Sequence, residues 1–122
     1  MKWSKPSEEL VTLLDTKLVD IDCEKRKMFG QWAYFINGNM FIGVFQSDIF
    51  IRLSPERKDE VFEKYPDTKP FEPRAGHIMR EYVALPHSLY ENDIILTEVI
   101  GYSIEYMLHL PPKKKTPKKS KK

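Results

Sequence analysis

The chain has 122 residues and a single cysteine, Cys23, enough for one domain with its own core and too few thiols for an internal disulfide. No apolar run approaches the roughly 20 residues of a membrane span, and the opening MKWSKPSEEL lacks the apolar stretch of a secretion signal, so a cytoplasmic protein without membrane contact is expected. The formal charge of +2 is unevenly placed: the last twelve residues, PPKKKTPKKSKK, hold seven lysines and no acid, and without them the charge is −5, which argues against the folded body as a general nucleic-acid binder.

Residues 5–19 predict an amphipathic helix. Ser4 or Ser7 can cap it, Pro6 fits a first turn, and Glu8 and Glu9 suit the positive end of the helix dipole. Leu10, Leu13, Leu14 and Leu18 fall on one face. A charged link, DIDCEKRK, follows.

Met28 to Leu53 predicts a three-stranded antiparallel meander. Asn37-Gly38 is a strong hairpin signal, because both central residues of a type I′ turn need positive φ. Gln46-Ser47-Asp48 supplies the second turn. With Asn37-Gly38 as a two-residue loop, Phe35 faces Met40, Tyr34 faces Phe41 and Trp32 faces Gly43. With Ser47-Asp48 closing the second hairpin, Phe45 faces Phe50 and Gly43 faces Arg52. Side-chain alternation then gives two surfaces. One carries Ala33, Phe35, Met40, Ile42, Val44, Ile49, Ile51 and Leu53, and should pack under helices. The other carries Trp32, Tyr34, Ile36, Phe41, Phe45, Phe50 and Arg52. A row Trp32–Gly43–Arg52 would bring indole and guanidinium together. This second surface is too apolar to stand bare in water and requires a cover: a helix, another chain or a ligand.

Ser54-Pro55-Glu56 is a compact helix start, with the helix running to about Tyr65 before Pro66 and burying Val61, Phe62 and Tyr65. PDTKPFEPRAG (66–76) predicts a loop anchored by Phe71. His77 to Leu85 predicts a fourth strand, and Asn92 or Asp93 caps a last helix with an apolar stripe of Leu96, Val99, Ile100, Ser103, Ile104, Met107 and Leu108. The expected fold is α+β, a two-layer antiparallel sheet with helices in the order α-β-β-β-α-β-α. The domain spans residues 1–110, and 111–122 is a lysine-rich tail too charged to fold alone.

These residues resemble a known family. Met28-Phe29-Gly30, the hairpin ending Asn37-Gly38-Asn39-Met40-Phe41, and Ile49-Phe50-Ile51-Arg52-Leu53 look like the N-terminal domain of the TfoX (Sxy) competence regulators. Pro70-Phe71-Glu72-Pro73 and Met79-Arg80-Glu81-Tyr82-Val83-Ala84-Leu85-Pro86 fall where that family has a Pro-Phe loop and a strand closing on proline. The similarity covers roughly residues 8–110, and its motif residues include Met28, Phe29, Gly30, Gly38, Met40, Phe41 and Arg52. Gln31 stands where a second glycine often follows the Met-Phe-Gly. The resemblance implies a small bacterial α+β domain without established enzymatic activity. Full-length members regulate natural transformation, promoting transcription with the cyclic-AMP receptor protein. They carry a C-terminal helical domain, and this chain reads as a stand-alone member in which a lysine tail stands at that place.

Chemistry-bearing patterns are sparse. His77, His87 and His109 lie in three different elements without metal-ligand spacing, so neither metal nor cofactor is expected. The glycines form no phosphate loop, and no nucleophile pair is recognisable. Alternation places Arg80 and Glu81 on opposite strand faces, and His77 lies about 13 Å from Glu81 in an extended chain. The leading expectation is a non-catalytic regulatory or protein-interaction domain. Trp32, Tyr34, Phe45, Phe50 and Arg52 form its partner or ligand surface, with a homodimer as one form of cover. Lys113, Lys114, Lys115, Lys118, Lys119, Lys121 and Lys122 either bind nucleic acid weakly and without sequence preference or serve only as a solubilising tether. The alternatives are a small enzyme or ligand-binding protein with a pocket near Arg52, Tyr82 and His77, and a dimer that clamps a partner peptide.

Overall fold

A computed structural model of the protein describes residues 8–28 and 31–111. In chain order the elements are α1 (Glu8–Lys17), β1 (Glu24–Met28), β2 (Gln31–Ile36), β3 (Asn39–Phe45), β4 (Asp48–Arg52), α2 (Pro55–Lys64), β5 (Lys69–Pro70), β6 (Tyr82–Leu85), α3 (His87–Tyr90) and α4 (Asp93–His109). The strands make one antiparallel sheet in the order β1-β2-β3-β4-β6-β5. One face packs under the four helices, and the 66–81 segment crosses the other. The expected α+β architecture is therefore present.

Local chemistry sets the helix ends where the sequence puts them. The Ser54 side chain accepts from the Arg57 amide at 3.3 Å, and Pro55 occupies the first helical position. Asn92 Oδ1 accepts from the amides of Ile94 and Ile95 at 3.0 and 3.2 Å. The main core gathers Leu10, Leu14 and Leu18 from the first helical segment, Val61 from α2, and Leu96, Val99, Ile100 and Met107 from α4 against Ile42, Val44, Ile49, Ile51 and Leu53. Leu108 leaves the predicted stripe: it is 65% exposed, on the solvent side of α4. Ser4, Pro6 and Ser7 lie outside the described residues.

Both hairpins form, with pairings that differ from expectation. Asn37 and Gly38 have φ of 53° and 81°, as a type I′ turn demands. A β-bulge between Tyr34 and Phe35 then makes Phe41 an extra residue on β3, so Tyr34 pairs with Ile42 and Ala33 with Gly43. A one-residue slip inverts every side chain beyond it. Tyr34 and Ile36 therefore join Phe41 in the main core under the helices, while Ala33 and Phe35 turn to the outer face. The second turn is Gln46-Ser47, with Gln46 at φ 57°, rather than Ser47-Asp48. Phe45 pairs with Asp48 and Gly43 with Phe50. That shift amounts to two residues and preserves alternation, so the faces of β4 are as expected. The predicted row Trp32–Gly43–Arg52 is replaced by Ala33–Gly43–Phe50–Ala84.

The outer face is apolar and it is covered, by the chain's own loop. Phe71, 5% exposed, stacks on Phe50 with ring centres 4.5 Å apart and planes 14° apart, and meets Phe45 edge-on at 5.5 Å. Met40, Met79 and Tyr82 complete this second cluster. The loop is held by β5 pairing with β6 and by the Met79 amide bonding to the Phe71 carbonyl at 2.9 Å. The strand expected over His77–Leu85 is shorter, because residues 74–81 are used in turns: His77 N bonds Arg74 O and Tyr82 N bonds Met79 O.

Three elements escaped the sequence pattern: β1, β5 and the single-turn α3. β1 lies in the stretch read as a charged link and has no apolar alternation. Its long side chains lie over β2 aromatics instead, with Arg26 4.0 Å above the Phe35 ring and Lys25 and Lys27 at 4.9 and 5.4 Å from Trp32. Charges on this edge strand also oppose pairing with another sheet.

Candidate functional site

Tyr34 and Phe50, expected on a partner surface, are 3% and 5% exposed. Tyr34 lies under the helices with its hydroxyl donating to Asp15, and Phe50 lies under Phe71. Phe45 is half-buried at the rim of the same loop, and Trp32 is half-buried beneath two lysines. The apolar outer face is thus not free for a partner, because the bulge and the Pro-rich loop together close it. Among the motif residues, Gly38 forms the hairpin turn, Phe41 is the bulge and Met40 packs outside. Met28 ends β1, while Phe29, Gly30 and the seven tail lysines lie outside the described residues.

Arg52 is held by carboxylate and aromatics from three elements. Its Nε and Nη2 reach Glu81 Oε1 at 2.6 and 2.5 Å, and its guanidinium carbon is 5.7 Å from the ring centres of both Tyr82 and Tyr106. Tyr106 Oη donates to Glu81 Oε2 at 3.1 Å, while Tyr82 Oη donates to the Met40 carbonyl at 2.9 Å. Burial raises the Tyr82 pKa, which keeps the hydroxyl a donor. Glu81 therefore reaches Arg52 although alternation along a regular strand would part them, because the strand begins only at Tyr82. His77 sits apart, in the Arg74–His77 turn. The α2–α4 groove beside the Arg52 cluster has none of Arg52, Tyr82 and His77 in its walls. Of the three residues expected to line a pocket, Arg52 and Tyr82 meet in this ion-paired cluster and His77 lies outside it.

Beside that cluster, an open groove of about 660 Å³ runs between the first turns of α2 and the last turns of α4. Its walls carry Glu56, Arg57 and Glu60 from α2 and Tyr102, Glu105, Tyr106 and His109 from α4. Arg57 spans it: its guanidinium carbon lies 4.1 Å from the Tyr102 ring centre, and its Nη atoms reach Glu60 at 2.8 Å and Glu105 at 3.9 Å. One turn back, Glu98 accepts from the Tyr65 and Tyr102 hydroxyls at 2.6 Å each and from Lys64 at 2.9 Å. Those three donors, Tyr102 first, hold the Glu98 carboxyl down to about 2. The two helices together carry seven acidic and three basic side chains. The arrangement can hold cations between carboxylates and phenol rings, as Arg57 demonstrates within the chain. Among the described residues, no group of three or more His, Cys, Asp or Glu is placed to hold a metal ion.

This groove has no counterpart among the surfaces expected from the sequence. The available signal was a second stripe on the last helix, Glu98, Tyr102, Glu105, Tyr106 and His109, lying beside the apolar stripe at helical spacing.

The model of the family described as the TfoX N-terminal domain matches residues 21–106, which runs from just before β1 into the last turn of α4. The chain belongs to the TfoX N-terminal domain family. No curated protein matches it. The TfoX domain here thus takes in the whole sheet, the Phe71 loop and nearly all of the α2–α4 groove, a competence-regulator-like domain. No described helix is long and apolar enough to cross a membrane.

Proposed function

We propose that this TfoX N-terminal domain is a non-catalytic, transcription-related regulatory module. Its folded body acts as a protein-interaction domain, and its lysine-rich end contributes weak attraction to nucleic acid. The observation that carries this reading is the partition of charge: residues 1–110 carry a formal −5, and seven lysines follow within ten positions. Lysines so clustered bind phosphates without sequence preference and with steep salt dependence. The body, being acidic, would repel the same polyanion. Supporting a non-catalytic reading, the charged side chains of the α2–α4 groove are joined to one another, Arg57 to Glu60 and Glu105, an arrangement poorly suited to proton transfer.

The test is DNA retention by the full-length chain with all seven tail lysines changed to glutamine. At low salt the wild-type chain should hold a short duplex and the variant should not. Equal retention by the variant would place the nucleic-acid contact in the body and overturn the reading.

A further inference from the structure

We infer that the α2–α4 groove is the docking site of this chain's own lysine segment, residues 113–122. The inference deepens the proposed function and rests on the tail being its nucleic-acid element, because a docked tail is a masked one.

Three observations meet at this groove. The first is its chemistry. Glu56, Glu60 and Glu105 face a space flanked by Tyr102 and Tyr106, and carboxylates with phenol faces are the pairing that an ammonium group takes. Arg57 already shows a cation held there, on the Tyr102 ring between two carboxylates. Its single charge does not neutralise the groove, whose walls set three glutamates, Glu56, Glu60 and Glu105, against that one arginine.

The second is where the chain leaves. His109 lines the groove itself, and two residues later the Pro111 carbonyl accepts from Asn39 Nδ2 at 3.2 Å, which pins the point of departure against the β2–β3 hairpin. The eleven residues that follow Pro111 can span about 36 Å when extended, which puts the groove within reach of the lysines.

The third is charge complementarity within one molecule. Seven lysines and an acidic body of −5 are joined by two residues, Pro111 and Pro112. Exposed ion pairs are individually weak, but a short tether supplies an effective concentration in the millimolar range. Binding of this kind is screened above about 0.1 M salt, where the Debye length is near 10 Å. A nucleic-acid phosphate and the groove would then compete for the same lysines.

The experiment compares amide spectra of the ¹⁵N-labelled full chain and the full-length variant with the seven lysines changed to glutamine, at low and high salt. At low salt the amide differences should be concentrated on residues 54–60 and 102–110, and they should vanish at high salt. Absent differences, or differences centred on another acidic stretch such as residues 15–24, would overturn the inference. A second variant, Glu56→Gln with Glu105→Gln, leaves the Arg57–Glu60 bond in place. It should abolish most of the low-salt differences, and their persistence at full size would also overturn the assignment. If the tail is docked about 80% of the time, this pair of changes raises the full chain's apparent duplex affinity about fivefold at low salt. A chain that docks its tail by the amide spectra but binds no duplex would overturn the nucleic-acid reading and keep the groove. An unchanged duplex affinity without groove-centred shifts would overturn the groove and keep the reading.

Discussion

Phe71, from a loop with three prolines, lies flat on Phe50 of the central sheet, ring centres 4.5 Å apart. This contact is the centre of the cluster that turns an apolar sheet face into an interior. It anchors a segment with little regular structure, because β5 is only two residues long. Phe71→Ala removes the stack and opens a cavity beneath the loop, which should cost about 3–5 kcal/mol. Urea denaturation would read the loss, and the variant should also bind a hydrophobic dye that the wild type ignores. A cost under about 1 kcal/mol would mean that the loop does not seal the face.

Gly43 is the counterpart of that stack on the next strand. A Cβ built there would lie 2.5 Å from Phe50 Cζ and 2.9 Å from the Trp32 carbonyl oxygen. The ring end can shift, but the backbone oxygen of a paired strand cannot. Gly43→Ala should destabilise by about 1–3 kcal/mol through overpacking, measured by thermal unfolding. A neutral result would show that Phe50 does not lie across the glycine.

Glu98 ties the two groove helices and should show it in acid. Its folded pKa of about 2 lies below its ordinary 4.5. A depressed carboxylate contributes stability that is fully present above the ordinary pKa and is lost as pH falls through the folded one. The Tm gap between wild type and Glu98→Gln should therefore be open at pH 6 and narrow steadily from about pH 4.5 toward pH 2. A gap that does not change with pH would contradict the clamp.

Arg52 and Glu81 should be energetically coupled. A double-mutant cycle with Arg52→Met and Glu81→Gln should return about 0.5–3 kcal/mol, read from urea midpoints. Additive effects would show that the pair is not formed in solution.

What was legible in the sequence was local. Asn37-Gly38, the Ser54 cap with Pro55, the Asn92 cap and the apolar face of α4 are each set by residues within one turn of one another. The bulge at Phe41 is not local: whether β3 takes an extra residue depends on how β2 and the helices pack from both sides. That one residue moved Tyr34 into the core and with it the expected partner surface. β1 was hidden because its stabilising contacts come from lysine and arginine stems lying on rings of the next strand, which leave no alternating pattern. The groove was hidden for a simpler reason, since Arg57 and Tyr102 are far apart in sequence and meet only when α2 packs beside α4.

The most direct test of the account is light scattering on the full chain with a short DNA duplex at low and high salt, beside the seven-lysine-to-glutamine variant. A complex should form at low salt, dissolve at high salt and never form with the variant. A complex that survives high salt, or one that the variant forms equally well, would contradict it.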